Sequence, residues 1–190
     1  MKKLVLGIGL LFTSVVCMAT PTQVAEQAVA EILAIAQNKS LDAEVRKTQL
    51  EDVIKKYVAL QAASQRVLAT HWRKASKEEK VEFMRVFRKV LTSTYFNLLQ
   101  QYENEKVIFG EEKIKKERYA TVESVVLSGG KEIPVSYQLL LRDDTWKLYD
   151  FVAEGISMIR SFNNDYAGQL RKDGVAGLSK ALEHKLNESD

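Results

Sequence analysis

The sequence predicts an α+β fold, a layer of helices packed on one face of a curled antiparallel sheet of about four strands. Three observations predict it. Apolar residues recur every three or four positions from Val24 to Tyr102, the spacing of one helix face. From Val107 the period shortens to two, and Gly- and Asp-containing turns divide the alternating stretches, the pattern of half-buried strands in a meander. After Gly155 the helical spacing returns. Helices, then strands, then helices segregate into two layers instead of alternating as in a parallel sheet.

Ahead of the first helix lies a segment of another kind. Met1 is followed by Lys2 and Lys3, by an uncharged, mostly apolar run from Leu4 to Ala19, and by polar Thr20-Pro21-Thr22. These are the n-region, h-region and cleavage site of a secretory signal, with Cys17 and Ala19 at the two positions a signal peptidase reads. A membrane span needs about 20 apolar residues, and lipid attachment needs a small residue where Val16 precedes Cys17. We therefore expect 1–19 to be a cleaved signal peptide and 20–190 a single domain, for which about 170 residues are ample. Cys17 is the sole cysteine, so such a domain has no disulfide, no thiolate nucleophile and no Cys-based metal site. Without Lys2 and Lys3 it carries 26 basic and 25 acidic side chains, a formal +1. That balance gives no long-range steering toward nucleic acid or an anionic surface.

Thr22 is expected to cap a helix bearing Val24, Ala28, Ile32 and Ile35, and Ser40 to open a second through Val45, Leu50 and Ile54. More helix is expected from Leu60 to His71. Ser76-Lys77-Glu78-Glu79 has the form of a capping box, in which the serine oxygen takes a first-turn amide and Glu79 reaches back. Behind it Met84, Phe87, Leu91, Tyr95, Leu98 and Tyr102 form one row and Phe83, Val86 and Val90 a second, a wide face of large apolar side chains. Val107 to Phe109 starts a strand, Arg118 to Leu127 is a second, and Ser128-Gly129-Gly130 a turn. Ile133, Val135, Tyr137, Leu139 and Leu141 line one face of the next, Asp143-Asp144 turns the chain, and Trp146 to Val152 completes the meander. Ser157 is placed to cap a helix to about Lys172, Gly174 to end it, and Val175 to Leu186 to form a last short helix.

Little of this carries reaction chemistry. His71 and His184 are the only histidines, too far apart in sequence for a metal-ligand pair on one helix; His71, beside Trp72, suits a capping or surface role. Ser128-Gly129-Gly130-Lys131 sits between two strands rather than before a helix, which makes it a hairpin turn and not a phosphate loop. Asp150 falls in an otherwise apolar strand near Glu154. The pair reads either as an acid and base or, preferably, as carboxylates that bond backbone amides or an arginine and fix the strand-to-helix corner. The cluster Lys113, Lys115, Lys116 and Arg118 is interleaved with Glu111, Glu112 and Glu117, and reads as a solvated face rather than a nucleic-acid surface.

The segments "FMRVFRKVLTSTYFNLLQQY" (83–102), "IPVSYQLL" (133–140), Trp72-Arg73 before Ser76, and above all "WKLYDFVAEGISMI" from Trp146 resemble the MlaC, or toluene-tolerance, family of periplasmic phospholipid-binding proteins. The likeness runs through nearly the whole chain after the signal segment. It departs where the family continues with Asn-Tyr-Arg and later Gln-Phe, for here stand Ser161-Phe162-Asn163 and Asp165-Tyr166. The resemblance implies an apolar cavity between helices and sheet that takes acyl chains while the headgroup faces water. It further implies a carrier for an ABC-type lipid transport system that maintains outer-membrane lipid asymmetry. Its partners would be an outer-membrane lipoprotein complex and an inner-membrane ABC-type complex, with phospholipid as cargo, no cofactor, no metal and a monomeric periplasmic chain. On that footing Phe87, Leu91, Tyr95, Tyr137, Leu139, Tyr149, Phe151, Ile156 and Ile159 are the expected lipid-binding residues. The alternatives are an isomerase-like enzyme on a cone-shaped α+β fold, using Asp150 as base, and a periplasmic adaptor with a filled core.

Overall fold

A computed structural model describes residues 18–100 and 105–188; most of the expected signal peptide, and Tyr102, lie outside them. Within the described residues the helices are α1 (Pro21–Gln37), α2 (Ala43–Tyr57), α3 (Leu60–Leu68), α4 (Thr70–Lys74), α5 (Lys77–Gln100) and α6 (Met158–Asn187). The strands are β1 (Lys106–Lys115), β2 (Tyr119–Ser128), β3 (Lys131–Arg142), β4 (Thr145–Ala153) and the short β5 (Ile156–Ser157), paired antiparallel in sequence order as an open meander. The α+β expectation holds, with a fifth short strand added at one edge.

Two helix starts differ from the sequence reading. Helix α1 opens at Thr20, not Thr22: the Gln23 amide donates to the Thr20 hydroxyl at 3.2 Å, and the Thr20 amide donates back to the Gln23 side chain at 2.9 Å. Pro21 decides the register, because a residue without an N–H belongs in the first turn. Thr22 instead gives its amide and hydroxyl to Glu112 of β1, at 2.9 and 2.6 Å, and so pins α1 to the sheet. Helix α2 opens at Asp42, whose carboxylate accepts from the Glu44 amide at 2.8 Å, while Ser40 bonds Asn38 in the connecting turn. The helix expected through His71 breaks at Ala69, whose φ of 47° and ψ of −121° separate α3 from α4. The capping box of α5 forms as expected, the Glu79 amide donating to Ser76 at 3.1 Å and the Ser76 amide to Glu79 at 2.7 Å.

All three long hairpins turn through two left-handed residues, Lys116-Glu117, Gly129-Gly130 and Asp143-Asp144, the backbone that matches strand twist. Strand β1 is longer than the expected Val107–Phe109 and contains Lys113 and Lys115 of the basic cluster. Two bulges bend the sheet. In β1, Gly110 and Glu111 stand opposite one residue of β2, and in β4, Tyr149 is the extra residue between Leu148, paired with Leu139, and Asp150, paired with Gln138. Helices cover the sheet face that bears Ala120, Val122, Val135 and Leu139. The core between the layers is built from Phe83, Val86 and Phe87 of α5, Leu50 of α2, Leu68 of α3, and Leu178 and Leu182 of α6, all buried.

Helix α6 continues to Asn187 but is interrupted where the sequence predicts, at Gly174, with φ 67° and ψ −168°. That conformation is all but closed to residues with a Cβ and costs about 1–3 kcal/mol when imposed. At the same kink a Cβ on Gly177 would lie 2.3 Å from the Asp173 Cβ. Gly174→Ala is therefore expected to destabilise the fold by about 1–3 kcal/mol, read as a lower urea midpoint at unchanged m-value. Among the described residues no helix is long and apolar enough to cross a membrane.

Candidate functional site

Between α1, α2, α5 and the sheet lies a cavity of about 340 Å³ with an almost wholly apolar lining. Helix α1 contributes Ala28, Val29, Ile32 and Leu33, α2 contributes Leu50 and Ile54, and α5 contributes Leu91, Tyr95 and Leu98. The sheet closes the other side with Val107, Val126, Val135, Tyr137 and the run Leu148 to Phe151, and Met158 of α6 sits at one end. Val58 enters because the α2–α3 connection crosses the edge of β4, where the Ala59 amide donates to the Leu148 carbonyl at 2.7 Å.

The aromatic walls are held by one another. Tyr95 meets Phe151 edge-on at 5.3 Å and Tyr137 stacks on Phe109 at 5.8 Å. Burial raises the pKa of the Tyr95 phenol, reinforced by the nearby Asp150 carboxylate, and burial likewise raises those of Tyr137 and Tyr149. These phenols stay neutral at physiological pH, so the cavity wall bears no tyrosinate. An apolar void of about 150 Å³ already stays dry and takes up a small hydrocarbon; this one is more than twice as large.

Two carboxylates, Glu105 and Asp150, reach the lining; Glu105 accepts the Ser128 hydroxyl at 3.1 Å, and both oxygens of Asp150 are engaged. One oxygen accepts the Ser157 hydroxyl at 2.6 Å and the other the Ile159 amide at 3.1 Å, while the Ser157 oxygen accepts the Arg160 amide at 3.1 Å. Asp150 and Ser157 together cap α6 and hold the strand-to-helix corner; Glu154, exposed and at φ 51°, forms the corner turn itself. Asp150→Ala would leave a partly buried amide and hydroxyl unpaired, with an expected loss of about 1–3 kcal/mol. Chemical denaturation measures it.

Of the nine residues expected to contact lipid, Leu91, Tyr95, Tyr137, Tyr149 and Phe151 lie along this cavity. The other four stand elsewhere. Phe87 and Leu139 are fully buried in the core, Ile159 is buried at the start of α6, and Ile156 is 64% exposed on β5. Ile156 borders a wider, more polar depression of about 630 Å³ between α5 and α6, which shares Tyr95, Leu98, Phe151 and Met158 with the apolar cavity. Among the described residues no group of three or more His, Cys, Asp or Glu could hold a metal ion.

With that geometry in place, the comparison with known families is direct: the family model described as MlaC protein matches residues 23–184. The chain belongs to the MlaC family. A relative from Haemophilus influenzae, the intermembrane phospholipid transport system binding protein MlaC, is 22% identical over 171 residues, covering 87% of this chain and 80% of that one. The toluene tolerance protein ttg2D of Pseudomonas putida is 27% identical over 103 residues, 54% of this chain and 48% of its own length. A phospholipid-binding protein from Ralstonia solanacearum, solved in complex with a phospholipid, superposes with a TM-score of 0.77 at 22% identity. The match covers 87% of this chain and 96% of that one, so the two share a fold.

At Asn163, where the resemblance led to the expectation of an arginine, the side-chain amide donates to the Val67 carbonyl at 2.7 Å and ties α6 to the end of α3. The residue is a structural brace here. The sequence reading missed the whole α1–α2 wall. Its signal was present: Val29 and Leu33 extend the apolar arc of α1 beyond the face of Val24, Ala28, Ile32 and Ile35, wider than contact with one neighbour requires.

Proposed function

We propose that this protein is a phospholipid carrier that holds acyl chains in the α1–α2–α5 cavity. The observation that carries the reading is the cavity's lining, almost wholly apolar and formed where helices and sheet would otherwise pack in contact. Membership of the MlaC family supports it, as do relatives whose names specify phospholipid transport and phospholipid binding.

The physical need for a carrier follows from the cargo. Two acyl chains contain roughly 30 methylenes, and at about 0.8 kcal/mol each their exposure to water costs on the order of 25 kcal/mol. Unassisted passage through an aqueous compartment is negligibly slow at that cost. Covering the chains removes most of it without any covalent step, and neutral tyrosines add no charge to the wall. On this reading residues 1–19 are a cleaved export signal and 20–190 a monomeric periplasmic domain. The carrier moves lipid between an outer-membrane lipoprotein complex and an inner-membrane ABC-type complex. Leu91, Tyr95, Tyr137, Tyr149 and Phe151 contact the acyl chains, and Phe87, Leu139 and Ile159 support them from the core. Asp150, engaged on both oxygens, is a corner residue rather than a base.

Detergent-free purification of the mature chain, solvent extraction and mass spectrometry test the proposal. About one diacyl phospholipid per chain is expected. Folded protein that is empty, and remains empty after incubation with liposomes, would rule the carrier out.

A further inference from the structure

Where α3 meets the ends of β2 and β3 lies a depression that shares no lining residue with the cavity. Along β2 and β3, Ala120 pairs with Leu139 and Tyr119 with Leu140. Neighbours along a strand point to opposite faces, so Tyr119 and Leu140 stand on the side opposite the buried Ala120 and Leu139. The depression, of about 450 Å³, is lined by Ala62, Gln65 and Arg66 of α3 and by Arg118, Tyr119, Leu140 and Arg142, and among the described residues no Asp or Glu lines it.

The arginines are placed in advance of any ligand. The Arg66 guanidinium lies 4.0 Å from the centre of the Tyr149 ring and donates to the Ala62 carbonyl at 3.0 Å, and Tyr149 in turn meets Tyr119 edge-on at 6.3 Å. Arg142 donates to Gln61 at 3.1 Å. Its one acidic neighbour is Asp143 at 3.6 Å, whose side chain is 94% exposed, so solvent screens the pair. The Arg118 side chain has no hydrogen bond or ion pair among the described residues. Three guanidinium groups thus share one concavity without a buried counter-charge among the described residues.

We infer that this depression docks an acidic side chain, Asp or Glu, presented by a partner protein. A guanidinium fork matches a carboxylate in two parallel hydrogen bonds, and Arg with Tyr is the composition of protein-interface anchors. A bilayer is the poorer fit. Attachment to an anionic leaflet calls for clusters of about four to eight basic residues; three line this hollow, and Lys113, Lys115 and Lys116 beside it are interleaved with Glu111, Glu112 and Glu117. Docking beside α3 leaves the α1, α2 and α5 walls of the cavity uncovered, so a partner would hold the carrier without obstructing its cargo. The inference rests on the carrier reading only for the choice of partners to test.

The experiment titrates the protein and its R118E and R118K variants against the cognate inner-membrane and outer-membrane lipid transport complexes, each in detergent micelles. Vesicles of phosphatidylcholine with one-fifth phosphatidylglycerol are titrated in parallel. Arg118 is exposed at a hairpin turn, so neither variant disturbs the core. R118E is expected to weaken binding to one complex by about tenfold or more and R118K by less, with the unsubstituted chain's affinity falling as salt rises. No binding by the unsubstituted chain, or equal binding by R118E, overturns the inference. So does a loss confined to the vesicles. Lipid content of the same preparations reports on the carrier reading separately: an empty chain whose complex binding still depends on Arg118 keeps the docking site and loses the cargo.

Discussion

Leu91→Trp is expected to leave the protein folded and strip it of lipid. Leu91 lies on α5 with 3% of its surface exposed, facing the apolar cavity rather than a filled layer. A tryptophan there projects its extra atoms into space that acyl chains would occupy. Overpacking a filled core typically costs about 1–3 kcal/mol, and the cavity absorbs most of that strain, so the thermal midpoint should move little. Bound phospholipid, about one per chain in the unsubstituted protein, should fall to background. Unchanged lipid content would remove Leu91, and with it the cavity, from the proposal. Leu139→Trp is not an equivalent test, because Leu139 is wholly buried away from the cavity; there the added volume is expected to lower stability without a specific effect on loading.

Phe87→Ala should show the reverse pattern. Phe87 is fully buried, stacked on Phe83 at 5.4 Å and met edge-on by Phe162 of α6 at 5.2 Å. Removing the ring leaves a void that α5 and α6 share, and such truncations cost about 3–5 kcal/mol. Since a domain is stable by only about 5–15 kcal/mol, the urea midpoint should drop steeply. The molecules that remain folded should still carry lipid at the original ratio. A lost cargo at unchanged stability would move Phe87 from the core to the site.

The contrast between these two residues marks how far the sequence could be read. Both lie on the apolar face of α5, four positions apart, and periodicity assigns them alike. What separates them is the element opposite. Phe87 faces Phe162 of α6, whereas Leu91 faces the gap left by α1, α2 and the bent sheet, and no local spacing records where helices from distant parts of the chain come to rest. Elements themselves were legible, because capping chemistry and period are local: the Ser76–Glu79 box, the Gly129-Gly130 turn and the break at Gly174 all stand where they were expected. Helix starts failed where a second capping residue stood two positions away: Thr20 displaced Thr22 through Pro21 and its box with Gln23, a local signal the reading passed over, and Asp42 displaced Ser40, whose hydroxyl bonds Asn38. The Tyr149 bulge in β4 was invisible in the sequence. It inserts one residue into a strand and shifts the alternation beyond it, so Asp150 reaches the corner of α6 although counting from Trp146 places it with the core-facing residues.

The open sheet has one further consequence, at its margin. Among the described residues β1 pairs with no strand but β2, and two of its large apolar residues, Ile108 and Ile114, are more than half exposed. An unpaired strand of this kind is a template on which another copy could add its own. Lys106, Glu111, Lys113 and Lys115 put charge on that margin, and the bulge at Gly110 bends it out of line with a flat partner. The interleaved lysines and glutamates act as insulation, setting like charges against one another wherever a second copy would align its β1 on this margin.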